Sequence, residues 1–114
     1  MKSKEETALH KQAVKFIKLQ YPNLIFWHTP NGEKRDKITG SKLKLMGVLP
    51  GVPDLFIANP SNGKNGLFIE LKSRSGRLSS RQKELIPMLI EIGYAVVICD
   101  CIESVQTSIK AYLR

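Results

Sequence analysis

From Leu67 to Lys72 the chain reads Leu-Phe-Ile-Glu-Leu-Lys, a strict alternation of period two. A β-strand sends successive side chains to opposite faces, so Leu67, Ile69 and Leu71 share one face and Phe68, Glu70 and Lys72 the other. The first face belongs in a core. The second presents a carboxylate and an ammonium group side by side. Asp54 opens another short apolar run, Asp-Leu-Phe-Ile-Ala, and the polar stretch from Asn59 to Gly66 separates the two runs as a turn. The runs are predicted to pair as a hairpin, which brings Asp54 toward Glu70 and Lys72.

The rest of the chain supplies helices around such a sheet. Ser3 followed by Glu6 reads as a capping box, and Leu9, Ala13, Phe16, Ile17 and Leu19 continue at helical spacing until Pro22. Leu24 to His28 reads as a short strand between Tyr-Pro-Asn and Pro-Asn-Gly breakers. Residues 35 to 46 read as a basic helix interrupted or delayed by Gly40. Gly47 to Pro53 holds two glycines and two prolines in seven residues, and so reads as an irregular connection into the Asp54 strand. Ser79 with Gln82 is a second capping box, opening a helix whose buried side is predicted to carry Leu85, Ile86, Leu89 and Ile92, with Pro87 inside and Gly93 as its stop. Tyr94 to Cys99 reads as an inner strand and Glu103 to Leu113 as a closing helix. The predicted order is α, β, α, β, β, α, β, α: an α/β fold with a mixed central β-sheet flanked by helices.

At 114 residues the chain is predicted to be one domain over 1–114. Its apolar runs fall well short of the roughly 18 to 20 residues of a membrane-spanning helix. The N-terminal stretch lacks the apolar segment of a secretory signal, so a cytoplasmic location is expected, host cytoplasm if the source is a virus. Cys99 and Cys101 stand too close in sequence for an unstrained disulfide and read as reduced thiols. A formal net charge of +8 makes polyanions the first partners to consider. The charge is also clustered. Lys72, Arg74, Arg77, Arg81 and Lys83 occur with no acid among them, and Lys34, Arg35, Lys37, Lys42 and Lys44 are set against Asp36. The two basic stretches flank the acidic pair.

Asp54 and Glu70 are hard oxygen donors of the kind Mg²⁺ takes, with Mn²⁺ as a substitute, and a lysine beside such an ion can hold or deprotonate an attacking water. Each residue alone also fits a surface ion pair or a turn. Together, Pro53-Asp54 and Glu70-Leu71-Lys72 resemble the PD-(D/E)-x-K phosphodiesterase motif. With Asn31-Gly32, Gly47-Val48-Leu49-Pro50-Gly51-Val52-Pro53-Asp54-Leu55, Gly76-Arg77-Leu78-Ser79 and Gln82 in order, nearly the whole chain resembles the virus-type replication-repair nuclease (VRR-Nuc) family.

That resemblance implies a restriction-endonuclease-like fold, metal ligation by Asp54, Glu70 and the backbone carbonyl of Leu71, and Lys72 in the water-activating role. It also implies an outer carboxylate from the first helix, able to serve a second ion. Glu6 is the residue in question, with Glu5 as the fallback, although Glu6 equally fits as the capping partner of Ser3. Gln82 carries the same double reading, helix cap and active-site contact. Family members often carry glutamine where this chain has His10, which shares a helix face with Glu6 and is expected to hydrogen-bond rather than ligate. His28 reads as a strand-end or core histidine. Asn31 is expected near the DNA backbone, together with Lys34, Arg35, Lys42, Lys44, Arg74, Arg77 and Arg81.

The predicted function is a Mg²⁺-dependent, structure-specific DNA endonuclease that cleaves four-way (Holliday) junctions. A symmetric pair of cuts needs two sites related by a two-fold axis, hence a homodimer. Flap cutting, nicking and restriction-type cleavage would use the same residues. A DNA-binding module without catalysis is the non-enzymatic alternative.

Overall fold

A computed structural model describes residues 3–30 and 37–114, with side chains from residue 40 onward in the second segment. The elements are α1 (Lys4–Gln20), β1 (Phe26–His28), α2 (Lys37–Leu45), β2 (Leu55–Ile57), β3 (Leu67–Leu71), α3 (Ser80–Glu91), β4 (Ala95–Cys99) and α4 (Ile102–Tyr112). Their order is the one the sequence predicts.

The sheet runs β1-β2-β3-β4, antiparallel across the first two junctions and parallel between β3 and β4. A parallel pair requires a long crossover, which α3 supplies. Register places Leu55 opposite Ile69 and Ile57 opposite both Phe26 and Leu67. These residues, with Leu71, Val97 and Cys99, form the core face. Helix α1 closes over it through Leu9, Ala13 and Ile17, spaced four apart, and α4 through Val105, Ile109 and Tyr112. Burying each of Leu9, Ile17, Val105 and Ile109 contributes about 1.5–3 kcal/mol. On the opposite face Trp27, Phe56, Phe68 and Tyr94 form a chain of ring contacts with centroids 4.4 to 5.4 Å apart.

Strand β1 is shorter than predicted. Leu24 and Ile25 lie outside it, yet the Ile25 N–H donates to Asn59 Oδ1 at 2.7 Å and its carbonyl accepts from the Ala58 N–H at 2.8 Å. Strand β4 is an edge of the described sheet, a correction to the inner-strand reading. Its apolar composition reflects contacts with α3 and α4 rather than strands on both sides. Ile92, predicted to be buried, is 64% exposed. It occupies the C-cap of α3, and Gly93 at φ +103° turns the chain toward β4 just beyond it, so its side chain leaves the packed stripe. Ile86 is buried, and Leu85 and Leu89 are half-buried. Pro87 lies on the exposed side of α3, where water can replace the backbone donor it lacks. Helix α2 runs through Gly40 without a break. Cys99 and Cys101 are both free thiols, the first buried and the second half-buried.

Candidate active site and metal centre

The connection before β2 delivers Asp54 to the end of the sheet. Gly51 adopts φ +91°, a conformation that favours glycine, and a Cβ there would stand 3.1 Å from the backbone carbonyl of Arg81, so the loop presses closely against the start of α3. Pro53 is buried next to it.

Asp54 then ties three strands together. Its backbone N–H donates to Glu70 Oε1 at 3.2 Å, and its own Oδ2 accepts from the Leu71 N–H at 2.8 Å. Its carbonyl accepts from the Thr29 N–H at 2.8 Å and meets His28 Nδ1 at 2.9 Å. Both carboxylates are 4% exposed. Lys72 Nζ lies 3.3 Å from Glu70 Oε2, and the Lys72 N–H is anchored on the Cys99 carbonyl at 3.0 Å. Two buried carboxylates are thereby held together by backbone donors, with the Lys72 ammonium group beside them. The oxygen donors suit a hard divalent cation.

A second group of donors converges on the same aspartate. One ring nitrogen each from His10 and His28 and an Asp54 carboxylate oxygen lie within 4.8 Å of one another, a set able to coordinate a divalent metal. The two rings meet edge to face, 4.3 Å between centroids. Sequence reasoning gave neither histidine a ligand role. The available signal was the placement of His10 one turn after Glu6, on the face that α1 turns toward the sheet end.

Other expected site residues are placed as follows. Glu6 is half-buried in the first turn of α1, whose N-cap is Ser3: the Glu6 N–H donates to Ser3 Oγ at 3.1 Å, and the Ser3 hydroxyl donates to the Glu6 carboxylate at 3.4 Å. Glu5 is exposed. Gln82 is buried and completes the α3 capping box, its Oε1 accepting from the Ser79 N–H at 3.0 Å. Arg74, Arg77, Arg81, Lys42 and Lys44 are exposed, and Arg81 pairs with Glu84 at 3.4 Å. Lys72, Arg74, Ile98 and Asp100 line a pocket beside the site. Asn31, Gly32, Lys34 and Arg35 lie outside the described residues. No described helix is long and apolar enough to cross a membrane.

A family model for the VRR-NUC domain matches residues 4–102, a span that includes every element from α1 to β4. A solved structure described as a "VRR_NUC domain protein" superposes with a TM-score of 0.78 at 28% sequence identity, covering 98% of this chain and 90% of that one. No curated protein matches. The mixed sheet flanked by helices is thus the restriction-endonuclease-like architecture of that family.

Proposed function

The chain belongs to the VRR-NUC domain family, and from that premise we propose that it is a metal-dependent DNA endonuclease centred on Asp54, Glu70 and Lys72. The observation that carries this reading is the interlock of Asp54 and Glu70 through each other's strand, with the Lys72 ammonium 3.3 Å from the Glu70 carboxylate. A surface ion pair would be exposed; here both acids are buried at a sheet end with backbone donors built around them.

Asp54, Glu70 and the Leu71 carbonyl would hold Mg²⁺, or Mn²⁺ in its place. When bound, the ion polarises the scissile phosphate and offsets its developing negative charge. Lys72, beside the Glu70 carboxylate, would orient the attacking water, or accept its proton once its own has passed to solvent. Glu6 supplies an outer carboxylate from α1, and Gln82, fixed by its cap, steadies the α3 side of the site. The exposed Arg74, Arg77 and Arg81, with Lys42 and Lys44 on α2, bind the DNA backbone through phosphate contacts, which position without reading sequence. Recognition by shape follows, and four-way junctions cut by a homodimer are the substrate and assembly we assign.

The test is cleavage of a labelled four-way junction beside flap and linear duplex controls, with Mg²⁺, Mn²⁺ or EDTA. Paired symmetric nicks that require metal and vanish in Asp54→Asn support the full reading. Cutting confined to flaps or duplex retains the nuclease and removes junction resolution. Tight binding without cutting removes the enzyme.

A further inference from the structure

His10, His28 and Asp54 come from α1, from the end of β1 and from the residue before β2, and nothing in a hydrophobic core requires their polar atoms to meet. We propose that these three residues form a metal site of their own, sharing Asp54 with the nuclease centre and taking a nitrogen-preferring transition ion such as Zn²⁺ rather than Mg²⁺.

The orientation of the His28 ring follows from its partner. A carbonyl oxygen only accepts, so the 2.9 Å contact with the Asp54 carbonyl places the proton on Nδ1. In the neutral ring that tautomer leaves the lone pair on Nε2. This is the arrangement by which metal-binding histidines are oriented, one nitrogen donating to a carbonyl and the other left to coordinate. Two imidazoles and a carboxylate are also the three-ligand set of an open zinc centre, whereas Mg²⁺ favours oxygen donors throughout. Tetrahedral coordination with bonds of about 2.0–2.1 Å sets ligand atoms roughly 3.4 Å apart. One nitrogen of each ring and an Asp54 carboxylate oxygen stand at most 4.8 Å apart, a gap that side-chain rotation on metal binding would have to close. The burial gradient permits such rotation: Asp54 is buried, His10 half-buried and His28 exposed, so the cluster is anchored at one end and reachable from solvent at the other.

The rival account is structural, an edge-to-face ring contact that only steadies α1 on β1. The two accounts differ in metal binding. Metal-free full-length protein is titrated with Co²⁺, whose visible absorption reports nitrogen-ligated tetrahedral coordination, in wild type, His10→Gln, His28→Gln and Glu70→Gln. Saturation at one such ion per chain is expected, with displacement by Zn²⁺ and resistance to excess Mg²⁺. Affinity should fall at least about tenfold in each histidine variant, the lower bound seen for losing even an outer partner of a ligand. It should hold in Glu70→Gln. Absence of the absorption in wild type, or equal absorption in the histidine variants, overturns the site. Should either variant misfold, nitrogen NMR of the wild-type imidazoles decides: one equivalent of Zn²⁺ must shift both histidines, and unchanged spectra reject the proposal. Neither readout uses DNA, so failure here leaves the nuclease reading standing, and failure of cleavage leaves this site standing.

Discussion

Asp54 and Glu70 face each other across the β2–β3 hairpin, and the backbone N–H of Asp54 donates to Glu70 Oε1 at 3.2 Å. The Leu71 N–H returns the contact to Asp54 Oδ2 at 2.8 Å. Two like charges in a buried setting repel, and these donors offset part of that repulsion before any cation arrives. The site is therefore preorganised by backbone rather than by long side chains. That is why isosteric amides are the informative substitutions.

Asp54→Asn and Glu70→Gln each keep an oxygen acceptor for the facing N–H while removing a charge. Thermal unfolding should change little, whereas metal-dependent cleavage should fall by at least about 10²-fold, the scale for deleting one electrostatic contact to a transition state. Circular dichroism melts and single-turnover cleavage on the same samples check the pair. Retention of cleavage in either variant would remove that carboxylate from the centre.

Lys72→Met separates structure from chemistry. Without a cation, Glu70 loses its ammonium partner in a nearly buried position, so the metal-free protein should lose about 1–3 kcal/mol. Mg²⁺ should restore more stability to the variant than to wild type, because it no longer competes with the ammonium for Glu70. Cleavage should stay low even with metal saturated. Melting curves with and without Mg²⁺ measure the first effects, and recovery of cutting at high Mg²⁺ would take Lys72 out of the water-activating role.

Much of this was legible in the sequence because it depends on local pattern. Alternation from Leu67 to Lys72 determines which side chains face the core, and Ser79 with Gln82 announces a cap that the structure contains. What was not legible depends on long-range placement. Nothing near Tyr94–Cys99 distinguishes an edge strand covered by helices from an inner one, since both are apolar. His10 and His28 each look ordinary in their own segment, and only the docking of α1 across the end of β1 brings them to Asp54.

Arg74→Ala and Arg77→Ala test the basic face. If each arginine contacts one phosphate, each substitution should weaken DNA binding uniformly across sequences and reduce the log–log salt slope by about 0.9. Fluorescence anisotropy at several salt concentrations, with Ca²⁺ or EDTA to prevent cutting, gives both quantities. An unchanged slope would place that arginine away from DNA.

Burial pushes the Tyr112 hydroxyl above the ordinary tyrosine value of 10.0, with a backbone hydrogen bond at Ser61 opposing the shift. The folded chain thus keeps a proton that the unfolded chain gives up. Its contribution to stability is complete below the unfolded value and is lost as pH rises from there through the folded value. Tyr112→Phe should flatten that alkaline decline. At neutral pH it should cost about 0.5–1.5 kcal/mol, by removing the 2.6 Å bond to the Asn59 carbonyl. Urea melts at neutral and alkaline pH would show both.

Gly51→Ala tests whether the loop before Asp54 positions the site. At φ +91° an alanine is strained, and its Cβ would meet the Arg81 backbone at 3.1 Å, a contact that rotamer adjustment cannot relieve. A stability loss of about 1–3 kcal/mol is expected. Because the strained segment runs directly into Pro53 and Asp54, the loss should be accompanied by weaker binding of Mg²⁺, measured by calorimetry at a temperature where the variant remains folded. A purely global destabilisation would lower the melting temperature and leave Mg²⁺ affinity unchanged, which would confine Gly51 to holding the loop against α3.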